Sequence, residues 1–186
     1  FAAMGESLAQ LHAVGSPPFG WHGNNSIGST LQQNRPSLGW LDFLRDQRLA
    51  PQIEMAQRGG LALPRAGQLL DGLGVLFEAY QPQPSLLHGD LWSGNAAFLQ
   101  TSGEPVLFDP ASYYGDRECD LAFTEMFGGF GADFYRAYAA RWPLAEGYAW
   151  RKRLYNLYHE LNHFNLFGGA YGSQARATIA ALSAQL

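Results

Sequence analysis

Residues 87–95 read Leu-His-Gly-Asp-Leu-Trp-Ser-Gly-Asn, and residues 105–110 read Pro-Val-Leu-Phe-Asp-Pro. The first stretch places Asp90 and Asn95 in a glycine-containing loop, and the second places Asp109 after a short apolar run. Phosphoryl transfer needs divalent cations on a triphosphate and a group that orients the attacking hydroxyl. The spacing Asp-x-x-x-x-Asn predicts that Asp90 is the group that orients the attacking hydroxyl of the substrate. Asn95 and Asp109 are predicted to bind Mg²⁺, which prefers oxygen ligands.

The His-Gly-Asp tripeptide alone has a simpler explanation, because aspartate is also common in turns and at helix caps. The combination of Asp90 with Asn95 and with Asp109 favours the phosphotransfer site. Gly89 and Gly94 agree with it, since a sharply bent loop that approaches a ligand favours residues without a Cβ.

Two short apolar segments, 96–99 and 106–108, predict a hairpin that would bring Asn95 and Asp109 to one side of the metals. Residues 19–37 are rich in Gly, Asn, Ser and Gln, which predicts a surface loop. Apolar residues at helical spacing predict helices over most of the remaining chain. These helices cover residues 1–14, 40–58 with a bend near Pro51, 64–80, 121–127, 133–142, 147–167 and 173–186. The fold class is therefore mainly α with a small β hairpin (α+β).

Composition narrows the classes of function. The formal net charge is −4, and the 12 basic residues form no dense run, which argues against nucleic-acid binding. The single cysteine, Cys119, cannot form an internal disulfide and fits a reducing, cytoplasmic compartment. No apolar run approaches the roughly 20 residues that would span a bilayer, so no membrane partner is expected.

Several motifs together resemble the fructosamine kinase (ketosamine-3-kinase) family. The resemblance covers almost the whole chain, through HGDLWSGN (88–95), VLFDPASYYG (106–115), and the segments 120–122, 126–130, 25–34, 158–165 and 168–172. It implies a protein-kinase-like fold related to aminoglycoside and choline kinases. It also implies ATP and Mg²⁺ as cofactors. The substrate would be a ketoamine sugar, a fructosamine or ribulosamine on a small amine or protein lysine, phosphorylated on its 3-hydroxyl in protein deglycation repair.

One departure from that family concerns the nucleotide. A kinase of this kind should begin with a lobe that carries a Gly-rich loop and a strand lysine. Nothing before His88 matches that lobe, and the one lysine, Lys152, lies downstream of the loop. Residues 1–186 are therefore expected to be the C-terminal lobe of a two-lobe kinase, with the N-terminal ATP-binding lobe absent. The apolar pattern that starts at Phe1 without a cap residue agrees with a fragment. We expect little or no activity from it alone.

Three further residues are candidates for the substrate pocket. Trp92 could pack against a sugar or belong to the core, and His159 and His163 lie one turn apart on a predicted helix. His159, Glu160 and His163 also form the His-Glu-x-x-His pattern of zinc hydrolases. That alternative needs a third protein ligand. An aminoglycoside- or choline-type kinase is the other alternative. Asp120, at the start of a predicted helix, is predicted to cap that helix, and the family resemblance also suggests a structural ion pair or an anchor for the loop that carries Asp90.

Overall fold

The computed structural model describes residues 1–186, and α-helices are its main regular structure. The helices are α1 (Ala2–His12), α2 (Trp40–Leu44), α3 (Ala50–Arg58), α4 (Ala66–Gly72), α5 (Glu118–Met126), α6 (Ala132–Arg141), α7 (Tyr148–Phe167) and α8 (Tyr171–Ser183). A π-helical turn, Arg45–Leu49, joins α2 to α3. The 3₁₀ turns are Leu73–Phe77 and Ser93–Asn95.

Three small antiparallel sheets complete the fold. The pairs are β1 (Asn25–Ile27) with β2 (Thr30–Gln32), β3 (Ser85–Leu86) with β6 (Tyr114–Gly115), and β4 (Ala96–Phe98) with β5 (Pro105–Leu107). The β4–β5 pair is the predicted hairpin, with Ala97 opposite Val106. The fold class is confirmed as mostly helical, but the structure contains three strand pairs where the sequence predicted one hairpin.

The polar segment 19–37, predicted as a surface loop, contains the β1–β2 hairpin. Hydrogen bonds from side-chain amides fix this hairpin to the rest of the fold, where a stripe of apolar side chains would usually do so. Gln32 is buried and donates through Nε2 to Asn25 Oδ1 at 2.8 Å and to the Ala111 carbonyl at 3.0 Å. Asn25 in turn donates to the Ser112 carbonyl at 2.8 Å. A polar sequence can therefore be buried here because its hydrogen bonds are satisfied.

Two predicted helices differ from the observed ones. The expected bend near Pro51 is the π-helical turn just before it, where the proline ring prevents the regular hydrogen bond of an α-helix. The helix expected over 64–80 ends at Gly72 and continues as a 3₁₀ turn. A Cβ at Gly72 would lie 2.6 Å from Leu186 Cδ1, so the glycine makes room for the Leu186 side chain.

The loop of residues 87–95 lies between two apolar cores. Leu87 packs in the larger core, which lies mainly among α2, α3, α4, α7 and α8, and Leu91 packs in the smaller one with α1 and α6. Both leucines are almost fully buried, at 0% and 1% exposed. Burial of leucine side chains is worth roughly 2 kcal/mol each. The two anchors therefore restrain the three residues between them, including Asp90.

Candidate active site

The turn before Asp90 depends on a close backbone contact. Gly89 has a φ of +82°, and a Cβ there would lie 2.2 Å from the Ala111 carbonyl oxygen. The Ala111 amide donates to the His88 carbonyl at 2.9 Å. The segment that follows Asp109 therefore lies directly against the loop that carries Asp90, and only glycine fits at the contact.

Asp120 anchors this loop from behind. Its Oδ2 accepts from the His88 amide at 2.7 Å, and its Oδ1 accepts from the Gly89 amide at 2.9 Å. Of the roles predicted for Asp120, the loop anchor is confirmed and the helix cap is wrong, because Asp120 lies inside α5 and bonds to a distant loop. Burial alone would raise the pKa of the Asp120 carboxyl, but the hydrogen bonds from His12 and from the Gly89 amide help to hold it below its usual value.

His88 supports the same turn through its ring. Its Nε2 lies 2.9 Å from the Phe108 carbonyl, and its Nδ1 accepts from the Asp90 amide at 3.3 Å. These contacts fit the neutral tautomer with hydrogen on Nε2. His88 thus connects the backbone of the loop of residues 87–95 to the end of the β4–β5 hairpin.

Asn95 lies close to Asp90. Its Nδ2 donates to the Asp90 carbonyl at 2.9 Å and to Asp90 Oδ2 at 3.3 Å. The Asn95 side chain is buried, and its Oδ1 makes no hydrogen bond within the protein. Gly94 allows this turn, because a Cβ there would lie 2.2 Å from the Trp92 ring.

The β4–β5 hairpin brings Asp109 to the same place. The Phe108 amide donates to the Asn95 carbonyl at 3.1 Å. Asp109 is the next residue after Phe108, so its backbone lies close to Asn95. Asp109 has a φ of +52°, which is uncommon for a residue with a Cβ. Its carboxylate is exposed and forms no hydrogen bond or ion pair. Free oxygens on Asp109 and Asn95 fit a hard divalent cation, which commonly takes one or two protein ligands.

The electrostatics of Asp90 suit a proton acceptor. Burial raises the pKa of its carboxyl to about 6, the nearby His88 and the Asn95 hydrogen bond lower it, and the charges of Asp120 and Asp109 raise it further. Asp90 is therefore largely ionised at neutral pH, yet its pKa lies closer to neutrality than that of an exposed aspartate. A base with such a pKa is well matched to general-base chemistry.

A cavity of about 410 Å³ opens beside Asp90. Its lining includes Asp90 and the three predicted substrate residues, Trp92, His159 and His163. The structure therefore brings all three to one cavity. The other lining residues are Ile27, Gly28, Phe123, Phe127, Asn162, Leu166, Phe167 and Tyr171.

Most of that second group was not predicted from the sequence. Ile27 and Gly28 come from the turn of the β1–β2 hairpin, and Leu166 and Phe167 come from the last turn of α7. The resemblance to the family predicts that the segment with Ile27 and Gly28 lies near the catalytic cleft, and the cavity lining agrees. The hairpin itself was missed, although Gly28-Ser29 between Ile27 and Thr30 is a two-residue turn signal. The aromatic residues followed helical spacing, which does not distinguish a cavity wall from a core.

The two histidines are held as neutral rings. His159 stacks on Phe123 with ring centroids 3.5 Å apart, and His163 stacks on Tyr171 at 4.9 Å. Burial, with a smaller effect from His163, lowers the pKa of His159 to about 3. Burial also lowers the pKa of His163. Neutral imidazoles can exchange hydrogen bonds with a hydroxylated ligand without adding charge.

The zinc-hydrolase alternative lacks its other components. Glu160, which would be the general base, does not line the cavity, and its Oε1 accepts from Thr178 on α8 at 3.1 Å. No cluster of three His, Cys, Asp or Glu side chains lies close enough to hold a metal ion. His159 and His163 therefore have no third ligand of the kind that a zinc site requires.

The mostly helical fold, with its Asp-x-x-x-x-Asn loop and following hairpin, is consistent with the class of kinase-like phosphotransferases. A model of the fructosamine kinase family matches residues 1–185. The chain therefore belongs to the fructosamine kinase family.

Individual relatives agree with this assignment. The chain is 52% identical to a "probable ketoamine kinase" of Synechocystis sp. over 93% of its own length and 59% of the relative's. It is 44% identical to the chloroplastic protein-ribulosamine 3-kinase of Arabidopsis thaliana, over 96% of this chain and 56% of that protein. A crystal structure of a "putative fructosamine-3-kinase" from Thermobifida fusca matches with a TM-score of 0.88 and 34% identity, over 97% of this chain and 64% of that one.

The chain thus spans about three fifths of the length of the curated relatives it matches. No helix has the length and hydropathy of a bilayer-spanning segment.

Proposed function

We propose that this chain supplies the acceptor-binding and metal-binding part of an ATP-dependent kinase that phosphorylates the 3-hydroxyl of ketoamine sugars. The observation that carries the proposal is the contact of Asn95 with Asp90, which lines the cavity, together with the hydrogen bond from Phe108 to Asn95 that brings the neighbouring Asp109 close to them. One loop carries both Asp90 and Asn95, and the β4–β5 hairpin, which is separate in sequence, carries Asp109. The names of the relatives, ketoamine kinase and protein-ribulosamine 3-kinase, support a fructosamine or ribulosamine as substrate.

Asp90 is the catalytic residue in this proposal. It orients the sugar hydroxyl, whose oxygen forms a bond to the γ-phosphorus of ATP as the bond from that phosphorus to the ADP oxygen breaks. The hydroxyl proton passes to Asp90 late in the transfer, because the hydroxyl has a much higher pKa. Asn95 Oδ1 and the Asp109 carboxylate would hold Mg²⁺, which when bound supplies charge stabilisation to the phosphates.

The lining of the cavity suits a sugar on an amine. Trp92, Phe127 and Tyr171 offer apolar faces for the C–H groups of a sugar, and neutral His159 and His163 offer hydrogen-bonding groups. A ketoamine could be carried by a small amine or by a protein lysine, since the cavity is open to solvent beside the exposed Trp92. The 3-phosphate product would break down and release the amine, which is deglycation.

The domain assignment is part of the same proposal: residues 1–186 form the catalytic-loop and substrate lobe, and an N-terminal lobe binds most of the nucleotide. Lys152, the single lysine, pairs with Glu125 at 2.7 Å and does not line the cavity. The β4–β5 hairpin exposes Phe98 and Phe108, at 38% and 41%. An exposed apolar surface next to the metal-binding residues suits contact with a second lobe.

The test compares two proteins with the same substrates. The complete gene product should phosphorylate a fructosamine or ribulosamine in the presence of ATP and Mg²⁺, and the 186-residue chain should show little or no activity. Activity of the short chain would refute the two-lobe assignment.

Aminoglycosides and choline are the comparison acceptors for the complete gene product. Preference for either one over ketoamines would refute the proposed substrate class. Retention of activity by Asp90→Asn would refute the assigned base. Treatment with a chelator that removes zinc should leave the kinase activity unchanged once Mg²⁺, which the chelator also binds, is added back.

A further inference from the structure

A row of buried side chains lies behind the loop that precedes Asp90. His12, the last residue of α1, has Nε2 3.1 Å from Asp120 Oδ2 and Nδ1 2.7 Å from the Tyr138 hydroxyl. The Tyr138 oxygen also accepts from Arg117 Nη1 at 3.2 Å. The row connects three helices, α1, α5 and α6, and it ends at the carboxylate that anchors the loop.

The donors and acceptors in this row assign its hydrogens. Arg117 can only donate, so the Tyr138 oxygen accepts from it and its own hydrogen is available for His12 Nδ1. His12 then carries its ring hydrogen on Nε2 and donates it to Asp120. Every hydrogen bond in the row therefore points towards the catalytic loop.

The Asp120 carboxylate depends on this arrangement because it is buried, with 1% of the residue exposed. Two of its three hydrogen-bond donors are the main-chain amides of His88 and Gly89, and His12 is the only side chain among them. A buried charge that loses a donor must find water or move. Any movement of Asp120 would release the two amides that immediately precede Asp90.

We propose that His12 is a positioning residue, which holds Asp120 against the amides of His88 and Gly89 and so sets the direction in which Asp90 faces the cavity. His12 does not reach the cavity itself. The geometric part of this proposal stands independently of the reaction, and its catalytic consequence rests on the proposed function.

Hydrogen exchange of the His88 and Gly89 amides in the 186-residue chain, followed by NMR, tests the geometric part. His12→Gln keeps an amide nitrogen that can reach the position of Nε2, whereas His12→Asn reaches only the position of Nδ1. Leu8→Val, on the same helix and in the smaller core, is the control for lost packing. If the His12 variants lose more thermal stability than Leu8→Val does, Leu8→Ala is used as the control instead.

We expect the two amides to exchange roughly tenfold or more faster in His12→Ala and His12→Asn than in the Leu8 variant of equal thermal midpoint. His12→Gln should remain close to the unsubstituted chain. Equal exchange in His12→Ala and the matched Leu8 variant would overturn the proposal. Better protection in His12→Asn than in His12→Gln would overturn the assignment of Nε2 as the donor.

Kinetics of the complete gene product test the catalytic consequence. His12→Ala should lower kcat by roughly tenfold or more and leave the ketoamine KM nearly unchanged, because the base is misdirected while the cavity wall remains. His12→Gln should restore most of kcat, and the Leu8 variant should keep it. An unchanged kcat in His12→Ala would overturn the positioning role. Absence of ketoamine phosphorylation by the unsubstituted protein would instead refute the proposed function, and the exchange result would still decide the geometry.

Discussion

Asn95 donates from Nδ2 to both the main-chain carbonyl and the carboxylate of Asp90, at 2.9 and 3.3 Å, while its Oδ1 remains free. One side chain therefore orients the proposed base with its nitrogen and offers its oxygen to a cation. In the proposed site, this arrangement would couple the orientation of the base to the position of the metal.

The pH dependence of catalysis should report Asp90. Because the pKa of this carboxyl is raised to about 6, kcat/KM of the complete gene product should rise as pH increases through about 6 and then level off. Asp90→Asn should lower kcat by about 10²–10⁴-fold. Asp133→Asn, which removes an exposed carboxylate paired with Arg136, is the control and should change neither quantity. An acid limb that persists unchanged in the residual activity of Asp90→Asn would contradict the assignment.

The Mg²⁺ requirement should report Asp109. Asn tolerates the positive φ of this residue, so Asp109→Asn removes the charge with little change to the backbone. We expect the Mg²⁺ concentration for half-maximal activity to rise by roughly tenfold or more, since even outer ligands of metal sites matter by that factor. A Mg²⁺ titration of the complete gene product at fixed ATP measures it. Unaltered Mg²⁺ dependence would remove Asp109 from the metal site.

Two glycine substitutions separate a backbone clash from backbone strain. Gly89 and Gly103 have φ values of +82° and +72°, but only Gly89 has backbone atoms where a Cβ would lie. Gly103→Ala should cost about 1 kcal/mol in the free energy of unfolding, from the left-handed conformation alone. Gly89→Ala should cost about 3 kcal/mol or more, because the loop must also move away from Ala111. Urea denaturation measures both, and similar losses would argue against the close contact.

Stability at neutral pH should be limited by Glu160. Its Oε2 is buried without a hydrogen-bond partner, and burial raises the pKa of the carboxyl to about 7 from an ordinary value of 4.5. The stability that this group contributes is complete below pH 4.5 and is lost as pH rises through about 7, because the folded state then holds a buried charge. Glu160→Gln should therefore raise the thermal midpoint at pH 8 by a few degrees and have little effect at pH 4.5.

Glu54→Gln, at an exposed position on α3, provides the matched control for Glu160→Gln. Thermal unfolding of the 186-residue chain followed by circular dichroism measures both variants. An equal stabilisation by the two substitutions at pH 8 would show that net charge, and not burial of Glu160, sets the effect.

The sequence predicted the local chemistry better than the surroundings of the site. The loop of residues 88–95 and the hairpin that presents Asp109 are short-range features, so their spacing could be interpreted directly. The burial of the polar β1–β2 hairpin could not be predicted, because the hydrogen bonds that hold it connect Gln32 and Asn25 to Ala111 and Ser112, far along the chain. His12 was assigned no role from the sequence because its partners, Asp120 and Tyr138, lie on other helices.

By itself the sequence determined the order of the helices and the β4–β5 hairpin, and it singled out Asp90, Asn95 and Asp109 as candidates for the site, because these features depend on neighbours along the chain. Only the tertiary structure decided that Trp92, His159 and His163 share one cavity with Asp90, and that Glu160 faces α8 instead. The physical reason is that a helix fixes which residues share a face, while the packing of other helices decides what that face meets.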